Sequence, residues 1–427
     1  MTFSIKSLGC PKNLVDSEKI AAQLSQAGLV FTDTADDAQV MILNTCGFIK
    51  PAIEESITEI KKLILWKRKR PNRKLLICGC LVNRLKDKLV KHFPEVDDWL
   101  KIKEEGSIAN LITDSPSPSD ETRLISTPRH YAYLKIAEGC SNRCSYCTIP
   151  QIRGPLQSRA LGSIVNEATQ LTELGIKELI LVGQDTAGYG TDLNGGKPLL
   201  AHLVDKLSCI DGIKWLRILY AHPAHIDDRL IDTIGSNPKV CKYLDIPIQH
   251  ISDRILKLMR RRYNRKTIEK LVEKLKRIPD MKLRTTVIIG FPTEKPQEFN
   301  ELLEFIGEGH FDHIGYFPYY REIGTEAAKL QPLPDCRIDE RLRQFADLQI
   351  KNTREKNRSR IGQKIIVIID GYNRKRYFGR SQSEAPEIDG KIFVSGQNLR
   401  IGKFYTALIK GFKKYDLFAL PLQEARW

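Results

Sequence analysis

Cys140, Cys144 and Cys147 stand in a C-x3-C-x2-C loop. Three thiolates from one short loop can hold three irons of a cubane cluster and leave the fourth iron open to a small molecule. A closed structural zinc site would need a fourth Cys or His close by in sequence, and none is there. A second, wider triple consists of Cys10, Cys46 and Cys80, in SLGC, LNTC and ICGC. Each follows an apolar run of strand character, about one βα unit after the last. In a parallel sheet the C-terminal strand ends share one edge, where ligands bind, so these three thiols should converge. Gly9, Gly47 and Gly79 would permit close backbone approach there. Spacing alone leaves open whether this triple holds a cluster or is buried structural cysteine. Cys78 sits within its strand and reads as core, and Cys209, Cys241 and Cys336 read as structural.

The elements that must position these residues alternate. Strand signals at 3–8, 40–43 and 75–77 are separated by helical periodicity at 15–27 and 52–67, with another helix from 82. Repeated βα units imply a parallel sheet. Residues 114–128, DSPSPSDETRLISTP, carry three prolines and read as a linker. From 131 the alternation resumes, with strands expected at 132–136, 178–182, 215–220, 243–246, 284–289 and 313–317. Helices are expected at 163–174, 267–277 and 299–308. Six such units in about 200 residues suit a partial barrel, with functional groups at the C-terminal strand ends. A charged helix over about 337–358 leads out. Short apolar strands at 365–369, 391–394 and 405–410, separated by glycine-containing turns, then suggest a small antiparallel barrel. The chain therefore reads as α/β, divided at 1–113, 114–128, 129–356 and 357–427.

Composition narrows the classes. Of 427 residues, 41% are hydrophobic and 28% charged, which is ordinary for a globular chain and excludes disorder, collagen and a disulfide miniprotein. No run of 18 or more apolar residues occurs, so no membrane span is expected. The start, MTFSIKSLGC, lacks an apolar signal region, so a cytoplasmic protein is expected. Ten cysteines in a reducing compartment point to metal or thiol chemistry rather than to disulfides. The net charge of +16 favours contact with nucleic acid or a nucleic-acid-rich particle, unless it only keeps the protein soluble. Half of the excess lies in residues 357–427.

The stretch KIAEGCSNRCSYCTIPQIRG, residues 135–154, resembles the radical S-adenosylmethionine motif, and the triple ahead of it resembles the methylthiotransferase family. The resemblance spans an N-terminal methylthiotransferase domain, a radical SAM barrel and a C-terminal TRAM-like β-barrel. It implies two 4Fe-4S clusters. One, on Cys140, Cys144 and Cys147, would bind S-adenosyl-L-methionine through its open iron and yield a 5′-deoxyadenosyl radical. The other, on Cys10, Cys46 and Cys80, would be auxiliary and hold the sulfur that becomes methylated. Tyr146 resembles the aromatic residue beside the adenine. Gly183 and Gln184 could offer groups to the methionine moiety, and Gly290 could let backbone approach the adenine. Each of these can equally be packing or a tight turn.

Several segments resemble the ribosomal-protein branch of the family. Pro11-Lys12 stands where the tRNA branch usually has Gln-Met, Asp185-Thr186 where it has Asn-Val, and Gln249-His250 where it has Gln-Ser-Gly; GRSQSEAPEIDG (379–390) also looks like this branch. The implied reaction places a methylthio group on the β-carbon of an aspartate in ribosomal small-subunit protein S-twelve. Partners would include rRNA of an assembled subunit, a reductant and a sulfur donor. His250 is a weak catalytic candidate, with a packing role as the alternative. Glu384, Glu387 and Asp389 could meet a basic peptide or form a solvated turn. Thr293, Lys295 and Arg321 depart from the family's GFPGET and YSxEEGT patterns and put local loop geometry in doubt. The basic runs at 61–74 and 259–266 read as solvated helix ends before they read as phosphate grips. Rival readings are a tRNA adenosine methylthiotransferase and a non-enzymatic iron–sulfur RNA-binding protein.

Overall fold

A computed structural model describes residues 1–113, 122–373 and 376–425. The N-terminal sheet is built from β1 (Thr2–Ser7), β2 (Val30–Phe31), β3 (Val40–Thr45), β4 (Lys74–Gly79) and β5 (Asp98–Leu100), in the order β2-β1-β3-β4-β5, all parallel. Helices α1 (Pro11–Gln26), α2 (Lys50–Arg68) and α3 (Cys80–His92) make the crossovers. Every residue of β3 is buried, as a strand covered on both faces requires. Met41 and Leu43 pack towards Ile60, Leu63 and Trp66 of α2, while Val40 and Ile42 pack towards Ile20 and Leu24 of α1. Strand β5 and the 3₁₀ segment Ile102–Leu111 have no counterpart in the sequence reading. The expected linker lies partly outside the described residues, which resume at 122.

The central sheet has six parallel strands: β6 (Tyr131–Lys135), β9 (Glu178–Val182), β10 (Trp215–Ile218), β11 (Val240–Asp245), β12 (Lys282–Ile289) and β13 (His313–Pro318). Their order, β13-β12-β11-β10-β9-β6, is open, so the expected barrel is partial. A short antiparallel pair, β7 (Ala137–Glu138) with β8 (Gln157–Ser158), frames the Cys140 loop and helix α4 (Ile149–Arg153). Helices α5 (Leu161–Glu173), α6 (Leu200–Ser208), α7 (Asp228–Ser236), α8 (Asp253–Leu258), α9 (Arg265–Lys276) and α10 (Pro296–Gly307) follow in turn. Along β6, Ala132 and Leu134 join the main core, while Tyr131 and Tyr133 face the other way. That period of two is what lets one strand serve both the helical layer and the inner face of the sheet.

Helix α11 (Asp335–Ser359) leads to a closed barrel of β14 (Lys364–Asn373), β15 (Arg376–Arg380), β16 (Ile392–Val394), β17 (Phe404–Lys413) and β18 (Asp416–Glu424). It is not wholly antiparallel as expected: β16 and β18 pair in parallel, because β17 crosses over before β18 closes the ring. Its Ile368, Ala385 and Phe404 pack on Tyr131, Tyr133, Trp215 and Tyr243 of the inner face. Arg217 and Glu178 are buried there as an ion pair at 2.8 Å. The guanidinium of Arg380 reaches the same carboxylate at 2.8 Å, and Arg217 also donates to the backbone oxygens of Ser381 and Gln382. Among the described residues, no helix is long and apolar enough to cross a membrane.

Candidate functional site

The first triple gathers at the C-terminal edge of the N-terminal sheet. Cys10 caps α1, Cys46 follows β3 and Cys80 opens α3. Gly9 has φ of +91°, and a Cβ there would lie 3.0 Å from the Cys46 sulfur. Gly79, at φ +94°, leaves room for the Asn44 amide oxygen, which a Cβ would meet at 2.2 Å. The fully buried Asn13 ties the three strand ends together. Its Nδ2 donates to the carbonyls of Leu8 and Thr45, both at 3.0 Å, and its Oδ1 lies 3.5 Å from the Cys80 sulfur. Burial pushes the Cys80 thiol up to about 12 and raises Cys46. Burial also opposes ionisation of Cys10, but the Lys12 ammonium and Arg153 guanidinium outweigh it and hold that thiol below its ordinary range.

Cys140, Cys144 and Cys147 lie in the loop between β7 and α4. Gly139 enters it at φ +73°, where a Cβ would meet the Pro155 carbonyl at 2.1 Å. Asn142 Nδ2 donates to Asp185 at 2.6 Å, just past β9, and Ser145 binds the carbonyls of Met259 and Leu258 through its N–H and hydroxyl. The loop is thus pinned at both ends to the rim of the central sheet. Burial pushes Cys140 up to about 11 and Cys147 up to about 12. Arg261 Nη1 donates to the Cys144 sulfur at 3.3 Å, while its other nitrogens hold Tyr263 and the Pro247 carbonyl. Beside the loop is a cavity of about 310 Å³, lined among others by Cys140, Asn142, Asp185, His225 and Arg262.

One side chain joins the two triples. Arg153, at the end of α4, donates Nε to the Cys80 sulfur at 3.2 Å and Nη1 to both oxygens of Glu138 at 2.7 and 2.8 Å. It also reaches Asp16 and Asn13 of α1. Lys135 bonds both Asp16 and Glu138, so two cations and two carboxylates interlock between the domains. Burial disfavours a charged Glu138, yet Lys135 and Arg153 hold its carboxyl down at about 2. The contact is reinforced by Arg84 with Glu322 at 2.7 Å, Asn83 to the Ile152 carbonyl at 2.6 Å, and Thr148 to the Phe48 carbonyl at 3.1 Å.

Both triples fit a cubane better than a single ion. Among the described residues, the one group of three metal-binding side chains with ligand atoms within 4.8 Å of one another is Asp185, His222 and His225. A tetrahedral zinc, with Zn–S near 2.3 Å, would draw thiolates to about 3.8 Å apart. Neither cysteine triple is that tight, and a cubane spreads its ligands over separate irons. Each triple also has an arginine N–H aimed at one sulfur, a contact that would tune a cluster's potential. The Asp185 group is satisfied within the protein: its carboxylate accepts from Asn142, His225, and the backbone N–H groups of Gly188 and His222.

The other expected residues fall variously. Tyr146 is half-buried beside Arg261 and edge-on to Phe291. Gly183 is buried at the end of β9, and Gln184 donates to Glu138 at 3.1 Å. Gly290 has φ of +74°, and its missing side chain makes room for Ile338 of α11, 2.7 Å from where a Cβ would be. His250 is fully buried, its Nδ1 accepts from the Ser252 N–H, its Nε2 has no hydrogen-bond partner among the described residues, and burial lowers its pKa to about 3. Thr293 adopts φ of +65°, keeping the left-handed turn that glycine supplies in the family pattern. Lys295 caps α10 with Glu298, and Arg321 binds the Ala328 carbonyl. Cys78 and Cys241 are buried, but Cys209 and Cys336 are exposed rather than structural.

The basic runs are also not all solvated. Arg73 is buried against Trp66, and Arg261 sits at the Cys144 sulfur. Glu384 and Asp389 are likewise neither solvated nor free for a peptide. Asp389 accepts from the Tyr243 hydroxyl at 2.7 Å, and Glu384 pairs with Arg360 at 2.6 Å and accepts from Ser381. Only Glu387 of the three is exposed. Burial works against the Glu384 charge, but Arg360 and His313 hold its carboxyl down at about 2. Its depressed pKa contributes stability above about pH 4.5, which is lost as pH falls through about 2. At neutral pH Glu384→Gln should therefore cost up to about 3 kcal/mol. Denaturant unfolding of the two chains should converge towards pH 2; an equal gap at every pH would contradict it. Sequence reasoning missed Asn13, Lys12, Arg153 and Arg261 as site residues, although the first three lie within the motifs around the cysteines.

Comparison with known proteins agrees with this architecture. Residues 2–101 match the Uncharacterized protein family UPF0004, residues 134–306 the Radical SAM superfamily, and residues 361–421 the TRAM domain. A radical S-adenosylmethionine methyltransferase from Kitasatospora setae, TsrM, shares the fold with a TM-score of 0.57, 14% identity and 76% of each chain covered. The fold and the cysteine loop thus define a radical S-adenosylmethionine enzyme, with S-adenosylmethionine and a 4Fe-4S cluster as its cofactors. The chain is 46% identical to "Ribosomal protein uS12 methylthiotransferase RimO" of Caldicellulosiruptor saccharolyticus, over 96% of this chain and 97% of that one. It is 44% identical to the protein of the same name from Pelotomaculum thermopropionicum, over 97% and 98%. The chain belongs to the RimO family of radical S-adenosylmethionine methylthiotransferases.

Proposed function

We propose that this protein places a methylthio group on the β-carbon of an aspartate in ribosomal protein uS12, with Cys140, Cys144 and Cys147 holding one 4Fe-4S cluster and Cys10, Cys46 and Cys80 holding a second. The observation that carries the reading is the meeting of two cysteine triples across one domain interface, with Arg153 bonded to a sulfur of the first and placed six residues beyond the second. When bound, the clusters and S-adenosylmethionine supply a carbon radical strong enough to break an unactivated C–H bond, and the sulfur and methyl group to be transferred.

The chain's own residues do the positioning. Gly139, Asn142 and Ser145 set the course of the Cys140 loop, and Asn13 sets the three strand ends that carry Cys10, Cys46 and Cys80. Arg153 and Arg261 direct N–H groups at the ligand sulfurs, which favours the thiolate form that binds iron. Hydrogen bonds from Asn83 of α3 to the Ile152 carbonyl of α4, and from Thr148 to the Phe48 carbonyl, hold the two domains together beside the triples. Tyr146, Gly183, Gln184 and Gly290 remain the proposed surroundings of S-adenosylmethionine, with Gly290 the weakest for its contact with Ile338.

An assembled small subunit suits the charge better than free uS12, which is itself basic. A cleft of about 1010 Å³ between α11, β13 and the C-terminal barrel is lined by Arg376, Lys391, Lys413 and Lys414, with Phe393 and Phe418 stacked at 5.7 Å. Cations beside stacked aromatic rings suit rRNA phosphates and bases. The reading places the enzyme in the cytoplasm and requires a reductant and a sulfur donor. Intact-mass comparison of small-subunit proteins from cells with and without the enzyme should show uS12 lighter by one methylthio group in its absence. An unchanged uS12 mass would refute the substrate.

A further inference from the structure

Lys12 is a buried cation with no carboxylate within ion-pair distance among the described residues. It lies in the first turn of α1, two residues after Cys10, and is 8% exposed. Among the described residues, no carboxylate lies within 4 Å of its ammonium and no group accepts a hydrogen bond from it. Its ammonium lies over the ring of Tyr220, with Nζ 3.6 Å from the centroid, and the Cys10 thiolate is the foremost opposing charge acting on it. A cation over an aromatic face is attracted to it, but this does not replace the solvation that a buried ammonium has lost. The other buried cations of this interface, Lys135 and Arg153, each contact two carboxylates.

Tyr220 carries a second sign of function. It lies two residues beyond β10, on the C-terminal rim of the central sheet, with φ of +60°. That conformation is unfavourable for a bulky side chain and persists only where surrounding structure imposes it. Here Asp245 imposes it: its carboxylate accepts the Tyr220 N–H at 3.2 Å and its carbonyl the Ala221 N–H at 2.8 Å, while Arg284 braces that carboxylate at 3.3 Å. The result holds an aromatic ring beneath a lone ammonium, between the central sheet and the Cys10 strand end.

We infer that Lys12, seated on Tyr220, receives the side-chain carboxylate of the substrate aspartate. The inference rests on the proposed function and specifies its substrate contact. A carboxylate bound there would give the ammonium the ion pair that no carboxylate of the described residues provides, and would fix the adjacent β-carbon next to the Cys10 end of the first triple.

The test is binding of labelled uS12 to the reconstituted enzyme, using uS12 with its natural target aspartate and uS12 with asparagine there. Wild-type enzyme should prefer the aspartate form by roughly 30-fold or more, the loss expected when one partner of a desolvated charge pair is removed. Lys12→Met should bring the two Kd values within about threefold of each other, and Lys12→Arg should keep part of the preference. Release of 5′-deoxyadenosine should match wild type in both variants, because among the described residues Lys12 makes no hydrogen bond or ion pair with the Cys140 loop; iron content is measured alongside, since Lys12 stands two residues from Cys10 and favours its thiolate. An undiminished preference in Lys12→Met, no preference in wild type, or loss of iron from both variants would overturn the inference. Wild-type enzyme that neither binds nor modifies uS12 would instead overturn the proposed function.

Discussion

Replacing Cys10, Cys46 and Cys80 together by alanine should halve the iron content and abolish methylthio transfer, yet leave S-adenosylmethionine cleavage to 5′-deoxyadenosine intact. The physical ground is the separation of the two sites. Each triple is carried by its own sheet and pinned by its own side chains, Asn13 for the first and Asn142 and Ser145 for the second. Removing three small thiols from the strand ends of the first sheet leaves the Cys140 loop its contacts with Asp185, Met259 and Leu258. The companion variant, with Cys140, Cys144 and Cys147 replaced, should lose both activities and the other half of the iron. Iron analysis and quantitation of 5′-deoxyadenosine check both. A first variant that kept its full iron would remove the case for a second cluster.

Arg153→Met should destabilise the protein by about 3–5 kcal/mol, the usual consequence of deleting one member of a buried ion-pair network. Its side chain is 1% exposed, and its loss leaves Lys135 as the cation paired with Asp16 and Glu138 among the described residues. Methionine fills much of the volume, so the cavity contribution is small and the change reads mainly the charge. Lys at this position would keep the charge but lose the fork that reaches Cys80, Asn13 and Glu138 at once, so it should recover only part of the stability. Denaturant unfolding of the iron-free chains measures both; a loss under about 1 kcal/mol for Arg153→Met would show that the network is not coupled as its geometry indicates. Residual salt dependence should be small, because the pairs are shielded from solvent.

Much of this was legible in sequence because strong periodicity and strand-end cysteines carry their own explanation. The runs at 179–182 and 40–43 are apolar because both faces are covered, by helices in the N-terminal sheet and by helices on one side and the C-terminal barrel on the other in the central sheet, and such runs stand out. The pairing of β16 with β18 was not legible, since it depends on β17 crossing between them and not on any local pattern. Strand β5 has three residues and no periodicity to recognise. Arg261 was hidden in a run of basic residues, where composition suggests solvent, and only the tertiary fold turns it towards Cys144. At Gly290 the positive φ marks a close approach that the sequence could not assign, and one neighbour it admits is Ile338. Lys12 could be named from its motif, but its lack of a carboxylate is a property of three-dimensional surroundings alone.

The central sheet stops at six strands, and the C-terminal barrel packs on its inner face through Ile368, Ala385 and Phe404. A closed eight-stranded barrel fills its own bore with side chains from every strand, so its interior can change only by repacking the whole. This bore is corked instead by a separately folded unit anchored on Arg217, Glu178 and Arg380. The depth of the chamber is therefore set by a plug whose outer surface faces away from the chemistry. Changes on that outer surface can alter which large particle is engaged while the radical chamber keeps its shape.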